Sequence, residues 1–305
     1  MDSFVLHRSD PGYPSRLRAC ADAPDILYGI GALDANRGHF VSVVGTRRAT
    51  ERARALTTTF VRSLAAAIPD LTIVSGLAYG IDVAAHRAAL DCGIPTIIVP
   101  GHGLDRIYPS VHRPVAVAAL SRGGILTEYP EGTEIYGSNF LRRNRIIAGL
   151  SDCTVVVESG ARGGSLCTAR LAHRYGRPVF TFPGRPSDES SEGCNALIRD
   201  HIASLILNAS DLIHAMHWHD SRQLSLDLDL ANPDSPQGTE PDTPLGEAIL
   251  AYLKRADNPA HINDIVHATH ADYATVATEL MMLEVDSLIS ALPGGLFMAQ
   301  NNGKN

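Results

Sequence analysis

The sequence lacks the features that define several large classes of protein. Its five cysteines are scattered and form no C-x-x-C pair, so they indicate neither a zinc site nor a disulfide framework. No apolar run is long enough to span a bilayer, and the N-terminus lacks the charged start and apolar segment of a signal peptide. We therefore expect a cytoplasmic protein with no membrane partner.

Lysine is also nearly absent, since Lys254 and Lys304 are the only two in the chain. Residues 41–182 contain 16 arginines and 10 acidic residues, a net charge of +6, whereas the rest of the chain carries a net charge of −13. Arginine suits phosphate because its planar guanidinium can donate two parallel hydrogen bonds. This placement predicts a polyanionic partner for the central segment and not for the ends.

Short apolar strands alternate with helical segments through the central part of the sequence. The alternation predicts an α/β fold, a doubly wound and mostly parallel sheet with helices on both faces. Gly-rich turns follow several strands, so we expect them to converge on one edge of the sheet, where such folds bind ligands. The turn after the strand at 40–44 lacks the G-x-G-x-x-G spacing, which disfavours dinucleotide binding.

Composition divides the chain into four predicted segments: a lead-in (1–39), a ligand-binding domain (40–219), an acidic flexible linker (220–243) and a small C-terminal domain (244–305). The last segment has the outline of a winged helix, three helices and a Gly-centred hairpin. Its net charge of −4 favours protein contact or oligomerisation over DNA reading. We interpret His214, His217 and His219 as a helix end leading into the linker, not as a metal site.

The candidate binding site combines three Gly-rich turns with an arginine-rich segment that begins near residue 139. Backbone N–H groups in such turns can cradle phosphates, and nearby guanidinium groups can neutralise them. Phe140 fits either a base-stacking ring or a core aromatic. For Asn144 and Arg145, internal capping or pairing fits better than contact with a ligand, because the segment around them is so apolar. The full candidate set is Gly45, Thr46, Arg47, Arg48, Ser75, Gly76, Leu77, Phe140, Arg142, Arg143, Asn144, Arg145, Gly163, Gly164 and Ser165.

We predict no catalytic, metal or cofactor site, and hence a protein that is not an enzyme. Asp82, His86 and Glu128 could be read as catalytic, but Asp82 fits a helix cap and His86 a satisfied core position. A serine hydrolase is disfavoured because no G-x-S-x-G elbow is present. A scaffold whose Gly turns bind nothing remains an alternative.

The order of the motifs resembles that of the bacterial DNA-processing protein A (DprA/Smf) family. From about Gly29 to Leu207 the sequence contains VVGTRRAT, SGLAYGIDVAAH, GLDRIYP, GGILTEYPEGT, NFLRRNRIIAGLS, VVVESGARGGSLCTA and PVFTFPG, followed by GCNALI. The C-terminal segment is similar to the small winged-helix-like domain of many members. The helical N-terminal domain that some members have is not expected, because only about forty residues precede the first predicted strand of the alternating pattern.

The resemblance implies an extended Rossmann-like domain that binds single-stranded DNA and forms a homodimer. It also implies loading of the recombinase RecA onto incoming DNA, and protection of that DNA, during natural transformation.

Carried over by position, Gly45, Thr46 and Arg47 match the family's G-[ST]-R turn, and Ser75, Gly76 and Leu77 match its second Gly turn. Phe140, Arg143, Asn144 and Arg145 match its F-P-x-R-N-R segment, and Gly164, Ser165 and Thr168 its S-G-S-x-x-T-A loop. Leu141 departs from the usual proline, and Gly163 departs from the first serine of that loop.

One enzyme family offers an alternative, the lysine-decarboxylase-like (LOG) nucleotide phosphoribohydrolases, whose loop is P-G-G-x-G-T-x-x-E. Aligning Gly163 and Gly164 with that loop places Arg170 at the position of its glutamate. A base then stands where the chemistry requires an acid. This reversal ranks the hydrolase well below DNA binding.

Overall fold

The computed structural model describes residues 3–32, 34–218, 243–256, 259–286, 288–292 and 295–299. The chain divides into two compact units, Met1–Ser221 and Arg222–Asn305. Within the described ranges, no helix is long and apolar enough to cross a membrane. The predicted linker lies outside the described residues apart from Thr243, and so does His219 of the histidine cluster.

The first unit is built on a nine-stranded sheet with the strand order β1-β2-β6-β5-β4-β3-β7-β8-β9. From β6 to β9 neighbouring strands run parallel, whereas β1 and β2 are antiparallel to their neighbours. The mostly parallel sheet confirms the predicted fold class. The strands are β1 (Ser3–His7), β2 (Ile26–Gly31), β3 (His39–Val44), β4 (Leu71–Ser75), β5 (Thr96–Ile98), β6 (Gly124–Thr127), β7 (Cys153–Val156), β8 (Val179–Thr181) and β9 (Ser204–Leu205).

Helices cover both faces of this sheet. They are α1 (Ser15–Arg18), α2 (Glu51–Ala67), α3 (Ile81–Asp91), α4 (Arg113–Ala119), α5 (Gly137–Leu150), α6 (Ser165–Arg174), α7 (Glu192–Arg199) and α8 (Ala209–Ala215). Side chains alternate along β3: Val41 and Val43 pack into the core beneath α2 and α3, whereas Phe40 and Val44 pack into the core beneath α5 and α6. A strand buried on both faces is expected to read as the continuous apolar run seen here.

The direction of chain travel reverses at the centre of the sheet. From β3 the chain proceeds outward through β4, β5 and β6, and from β7 it proceeds the other way through β8 and β9. The reversal lies between β3 and β7, which pair directly. The crevice beyond the carboxyl ends of these two strands is where open α/β sheets bind ligands.

The segment 1–39 is not a lead-in but part of the sheet, and that prediction was wrong. β1 pairs with β2, and β2 pairs with β6. Tyr13 and Leu17 are fully buried in the core, and the Tyr13 hydroxyl donates to the carbonyl oxygen of Pro24 at 2.6 Å. The sequence signal was weak because β1 is an edge strand of five residues that alternates only between exposed and half-buried positions.

In its described residues, the second unit contains three helices and a small sheet. It contains α9 (Pro244–Arg255), β10 (Ala260–His261), α10 (Ile262–Thr269), α11 (Tyr273–Val285), β11 (Ile289–Leu292) and β12 (Leu296–Ala299). The strands form an antiparallel sheet in the order β10-β12-β11. Gly295 precedes β12 with a positive φ of 74°, a conformation that favours glycine. Three helices and a Gly-containing hairpin form the predicted winged-helix outline.

Candidate nucleic-acid interface

A pocket of about 210 Å³ lies at the point where the strand order reverses. It is bounded by the loop after β3, the N-terminal half of α5 and the loop that leads into α6. Nine of the fifteen candidate residues line it, so the structure brings together segments that are far apart in sequence. These nine are Gly45, Thr46, Arg47, Phe140, Arg143, Asn144, Gly163, Gly164 and Ser165.

Arg47 and Phe140 form the open side of the pocket. The Arg47 side chain is exposed, and its guanidinium carbon lies 5.5 Å from the centre of the Phe140 ring. The ring is half-buried and lies 5.9 Å from the ring of Tyr108. Arg48 is exposed on the same loop. An exposed cation beside aromatic rings is an arrangement that suits single-stranded nucleic acid, with a phosphate on the cation and a base on a ring.

The loop after β3 is held in place by Glu158, which follows β7. The Glu158 carbonyl oxygen accepts the Thr46 N–H at 2.7 Å, and its carboxylate accepts both the N–H and the hydroxyl of Thr50 at 2.8 Å. Gly45 is required at the start of the loop because a Cβ there would lie 2.4 Å from Ile81 Cγ1. Since the Thr46 N–H is already used internally, this loop offers fewer free N–H groups to a phosphate than we predicted.

The second Gly turn corrects the prediction for Ser75, Gly76 and Leu77. All three are buried, and the Ser75 hydroxyl donates to the Val43 carbonyl at 2.7 Å. The Asp82 carboxylate accepts the N–H of Gly76 at 3.2 Å. This turn is therefore stabilised by a buried carboxylate, and none of its three residues lines the pocket.

Arg143 requires a similar correction. Its side chain is buried, with 3% of the residue exposed, and its Nη1 donates to the carbonyl oxygen of Gly76 at 2.9 Å and to that of Val99. Burial lowers the pKa of Arg143 to about 10, so the guanidinium remains charged at neutral pH. Burial likewise raises the pKa of Asp82, and the nearby Arg143 opposes that rise. Arg143 lines the floor of the pocket, and its Nη1 donates to the protein backbone.

Arg142 and Arg145 lie on the side of α5 that faces the end of β6. Both contact the buried Glu128 carboxylate, Arg145 at 2.7 Å and Arg142 at 3.3 Å. Arg145 is 11% exposed and Arg142 is 66% exposed at the side chain. Arg145 is thus an internal ion-pair partner, and only Arg142 can reach a ligand at the rim.

The third Gly turn leads into α6 and is the part of the cradle that remains open. Two of its N–H groups, those of Gly164 and Ser165, are at the beginning of the helix, where N–H groups lack an intrahelical acceptor. Gly163 stands where the related motif has serine because a Cβ there would lie 2.1 Å from Ser159 Oγ. Asn144 is buried and donates from Nδ2 to the Gly164 carbonyl at 3.3 Å, which ties α5 to this turn.

The residues that could be read as catalytic are internal. Asp82 and Glu128 have the roles described above. His86 is fully buried, and its Nδ1 lies 2.7 Å from Thr96 Oγ1. Burial lowers the pKa of His86 to about 3, so the ring is neutral. Across the described ranges no three His, Cys, Asp or Glu side chains are grouped to hold a metal.

Sequence reasoning missed Tyr108 and Glu158. Tyr108 lies in GLDRIYP, 32 positions from Phe140, and no local periodicity connects the two rings. Glu158 follows a buried strand directly, and this position was a usable signal: the carboxyl end of a parallel strand is where polar side chains meet neighbouring loops.

Comparison with known proteins gives matches along both units. The sequence model of the family described as DNA recombination-mediator protein A matches residues 4–217, and that of the DprA winged helix domain matches residues 233–295. Protein Smf of a Synechocystis strain is 33% identical over 314 residues, covering 95% of this chain and 78% of the relative. DNA processing protein DprA of Streptococcus pneumoniae is 39% identical over 204 residues, covering 67% of this chain and 71% of the relative.

Two solved structures share the fold of the first unit. DNA processing protein A of S. pneumoniae superimposes with a TM-score of 0.66 at 37% identity, covering 69% of this chain and 73% of the other. The Helicobacter pylori protein superimposes with a TM-score of 0.63 at 32% identity, covering 70% and 95%. Together with the match over residues 4–217, these similarities show that the chain belongs to the DNA recombination-mediator protein A (DprA/Smf) family.

Proposed function

We propose that the first unit binds single-stranded DNA at the pocket between β3 and β7 and breaks no bond in it. The observation that carries the proposal is the arrangement around the pocket: the exposed cation of Arg47, the ring of Phe140, and the N–H groups of Gly164 and Ser165 at the start of a helix. A helix N-terminus attracts anions through its free N–H groups and its dipole. The reported single-stranded DNA binding mode of the H. pylori relative supports the same ligand.

The fifteen candidate residues divide into two groups in this proposal. The direct contacts are the residues at the pocket and its rim that are exposed or half-buried, together with the backbone N–H of the buried Ser165 at the start of α6: Gly45, Thr46, Arg47, Arg48, Phe140, Arg142, Gly163, Gly164 and Ser165. The supporting residues hold those loops from below: Ser75, Gly76, Leu77, Arg143, Asn144 and Arg145. The division follows from burial and hydrogen bonding. Nη1 of the buried Arg143 already donates to two carbonyl oxygens, and a phosphate that captured it would leave both of them unpaired.

Family membership extends the proposal to the biological role. We infer that the protein acts in the cytoplasm as a homodimer that protects incoming DNA in natural transformation and loads the recombinase RecA onto it. The second unit contributes protein contacts in this scheme. Its exposed α11 residues Met281 and Met282 are apolar and its charge is negative, which suits a protein partner better than a polyanion.

The hydrolase alternative gains no support from the site. Arg170, at the position of the expected catalytic glutamate, is an exposed residue of α6. Incubation with nucleoside monophosphates should therefore release no free base. Measurable release would favour the alternative.

The decisive experiment compares short single-stranded and double-stranded oligonucleotides across a salt series. We expect the wild-type protein to prefer the single strand. Arg47→Ala should weaken binding about tenfold, the loss of one charge-assisted contact. It should also reduce the slope of log K against log salt by about 0.7.

The matched control is Arg62→Ala, which removes the same charge from an exposed position of α2, where Arg62 contacts only Asp91 at 4.0 Å. We expect this variant to bind like the wild type. A wild-type protein that ignores single-stranded DNA would refute the proposed function. Equal effects of the two substitutions would instead show that binding depends on overall charge and not on this pocket.

A further inference from the structure

The aromatic surface of the site extends beyond the pocket to Tyr108, between β5 and α4. The Tyr108 side chain is large, apolar and 46% exposed, and its ring centre lies 5.9 Å from that of Phe140 with an angle of 38° between the planes. Within the described part of the chain, the Tyr108 hydroxyl makes no hydrogen bond. The exposed part of this ring, which lies beside a second aromatic ring, is therefore available to contact a ligand.

The loop that carries Tyr108 is held rigidly by His102. His102 is buried, and its Nδ1 lies 2.8 Å from the Gly103 carbonyl oxygen, so Nδ1 carries the proton. Its Nε2 then accepts the backbone N–H of Tyr108 at 3.2 Å. Thr127 adds a hydrogen bond of 2.9 Å from its hydroxyl to the His102 carbonyl. The position of the Tyr108 backbone is therefore fixed before any ligand binds, which lowers the entropic cost of binding.

Phe140 is the less accessible ring of the pair. The guanidinium carbons of Arg47 and Arg143 lie 5.5 Å and 5.9 Å from its centre. Its Cδ1 would lie 2.9 Å from a Cβ at Gly101, so the loop after β5 packs closely against the ring. A base can stack on Phe140 only after Arg47 moves, whereas nothing comparable covers Tyr108 in the described structure.

We propose that Tyr108 is a base-stacking residue for single-stranded DNA, placed one ring beyond the phosphate pocket on the β5 side. The inference rests on the proposed function and adds the residue that receives an unpaired base. Phosphates contact Arg47 and the turn before α6, and Phe140 supports Tyr108 from the pocket side. Stacking of this kind tolerates any base, since every base has a π-face. It favours single strands, because the bases of a duplex are already stacked on one another.

The test separates base contacts from phosphate contacts by the choice of probe. One probe is an oligothymidylate, and the other is a strand of the same length whose sites are abasic, so that its phosphates are retained. Tyr108→Leu should weaken binding of oligothymidylate about tenfold and leave binding of the abasic strand unchanged. Tyr108→Phe should restore wild-type affinity, because the ring and not the hydroxyl makes the contact.

The control is Tyr273→Leu, which removes a tyrosine of similar exposure, 56%, from α11 of the second unit. We expect it to change neither affinity. Equal weakening of both probes by Tyr108→Leu would show a structural role and overturn the inference, as would unchanged binding of oligothymidylate. In both cases the proposed function stands. If the wild-type protein itself binds no oligothymidylate, both proposals fail.

A second measurement does not depend on the fold of the leucine variant. Trp218 is the only tryptophan of the chain, so Tyr108→Trp in a Trp218→Phe background gives a fluorophore at the proposed contact. Oligothymidylate should quench its fluorescence and the abasic strand should not. Equal quenching by both strands, or quenching by neither, would contradict base stacking at this position.

Discussion

Replacing Arg143 with methionine should lower the free energy of unfolding of the first unit far more than any substitution of Arg47 does. Methionine keeps much of the length and volume of the side chain but removes its charge and all of its donors. The carbonyl oxygens of Gly76 and Val99 then lose their donor, and the buried carboxylate of Asp82 loses the nearby cation. The perturbation is therefore local and purely polar.

The expected cost follows from these losses. An unpaired buried polar group costs about 1–3 kcal/mol, and here two carbonyl oxygens lose their donor while Asp82 loses the favourable field of the cation. Because these contributions overlap, we expect the free energy of unfolding to fall by about 4 kcal/mol. This is a large part of the roughly 5–15 kcal/mol that stabilises a typical domain. Arg47→Met should change it by less than about 0.5 kcal/mol, since Arg47 is exposed.

Urea unfolding followed by circular dichroism measures the difference directly. The double variant Asp82→Asn, Arg143→Met should be more stable than the sum of the single effects predicts, by about 1–3 kcal/mol, because the two groups interact. While folded, Arg143→Met should keep the wild-type salt dependence of DNA binding. The reasoning would be refuted by an Arg143→Met protein that unfolds at the wild-type urea concentration, or by a salt slope that falls as it does for Arg47→Ala.

Three further predictions concern the groups around the site. Gly80→Ala should both destabilise the first unit and weaken DNA binding, because Gly80 has a φ of 78° and a Cβ there would lie 2.2 Å from the Thr46 carbonyl oxygen. A folded Gly80→Ala protein with normal affinity for DNA would contradict this. His86, whose pKa is about 3 in the folded protein, should make the protein about 2 kcal/mol less stable at pH 5 than at pH 8. The reason is that only the unfolded chain gains a proton at this residue as the pH falls below about 6.5. In urea titrations, His86→Gln should remove this contribution of about 2 kcal/mol from the pH dependence of stability. Around Glu128, Arg145→Met should cost about 3 kcal/mol and Arg142→Met less than 1 kcal/mol, a contrast that equal unfolding midpoints would disprove.

Much of the fold could be predicted because the signals are local and repeated. Buried β-branched runs, followed by Gly-rich turns and helices, predicted the mostly parallel sheet, and the strand predicted at 40–44 corresponds to β3. The convergence of those turns on one edge follows from parallel strand geometry alone. The antiparallel edge of the sheet was harder to predict. β2 pairs with β6, which lies about a hundred positions away, and β1 pairs with β2 through five residues whose weak alternation carries little information.

The use of each side chain at the site could not be predicted in the same way. Arg47 and Arg143 are the same residue type in equally basic segments, yet one is exposed and the other is bonded to two buried carbonyls. That difference depends on where α5 packs against the turn after β4, which is a tertiary property. The proximity of Tyr108 to Phe140 is hidden for the same reason.

Three basic or Gly-rich surfaces at this edge of the sheet each rest on a buried acidic side chain: Glu158 under the turn that carries Arg47, Asp82 under the turn after β4, and Glu128 behind α5. A genetic screen for defective DNA handling should therefore recover substitutions of these three acids alongside those of the arginines. The phenotype of such mutants would resemble that of mutants that have lost a residue contacting DNA, although none of the three carboxylates needs to touch the DNA. If DNA contacts were assigned from these phenotypes alone, the DNA would be placed against buried side chains that support the binding loops, and not against the loops themselves.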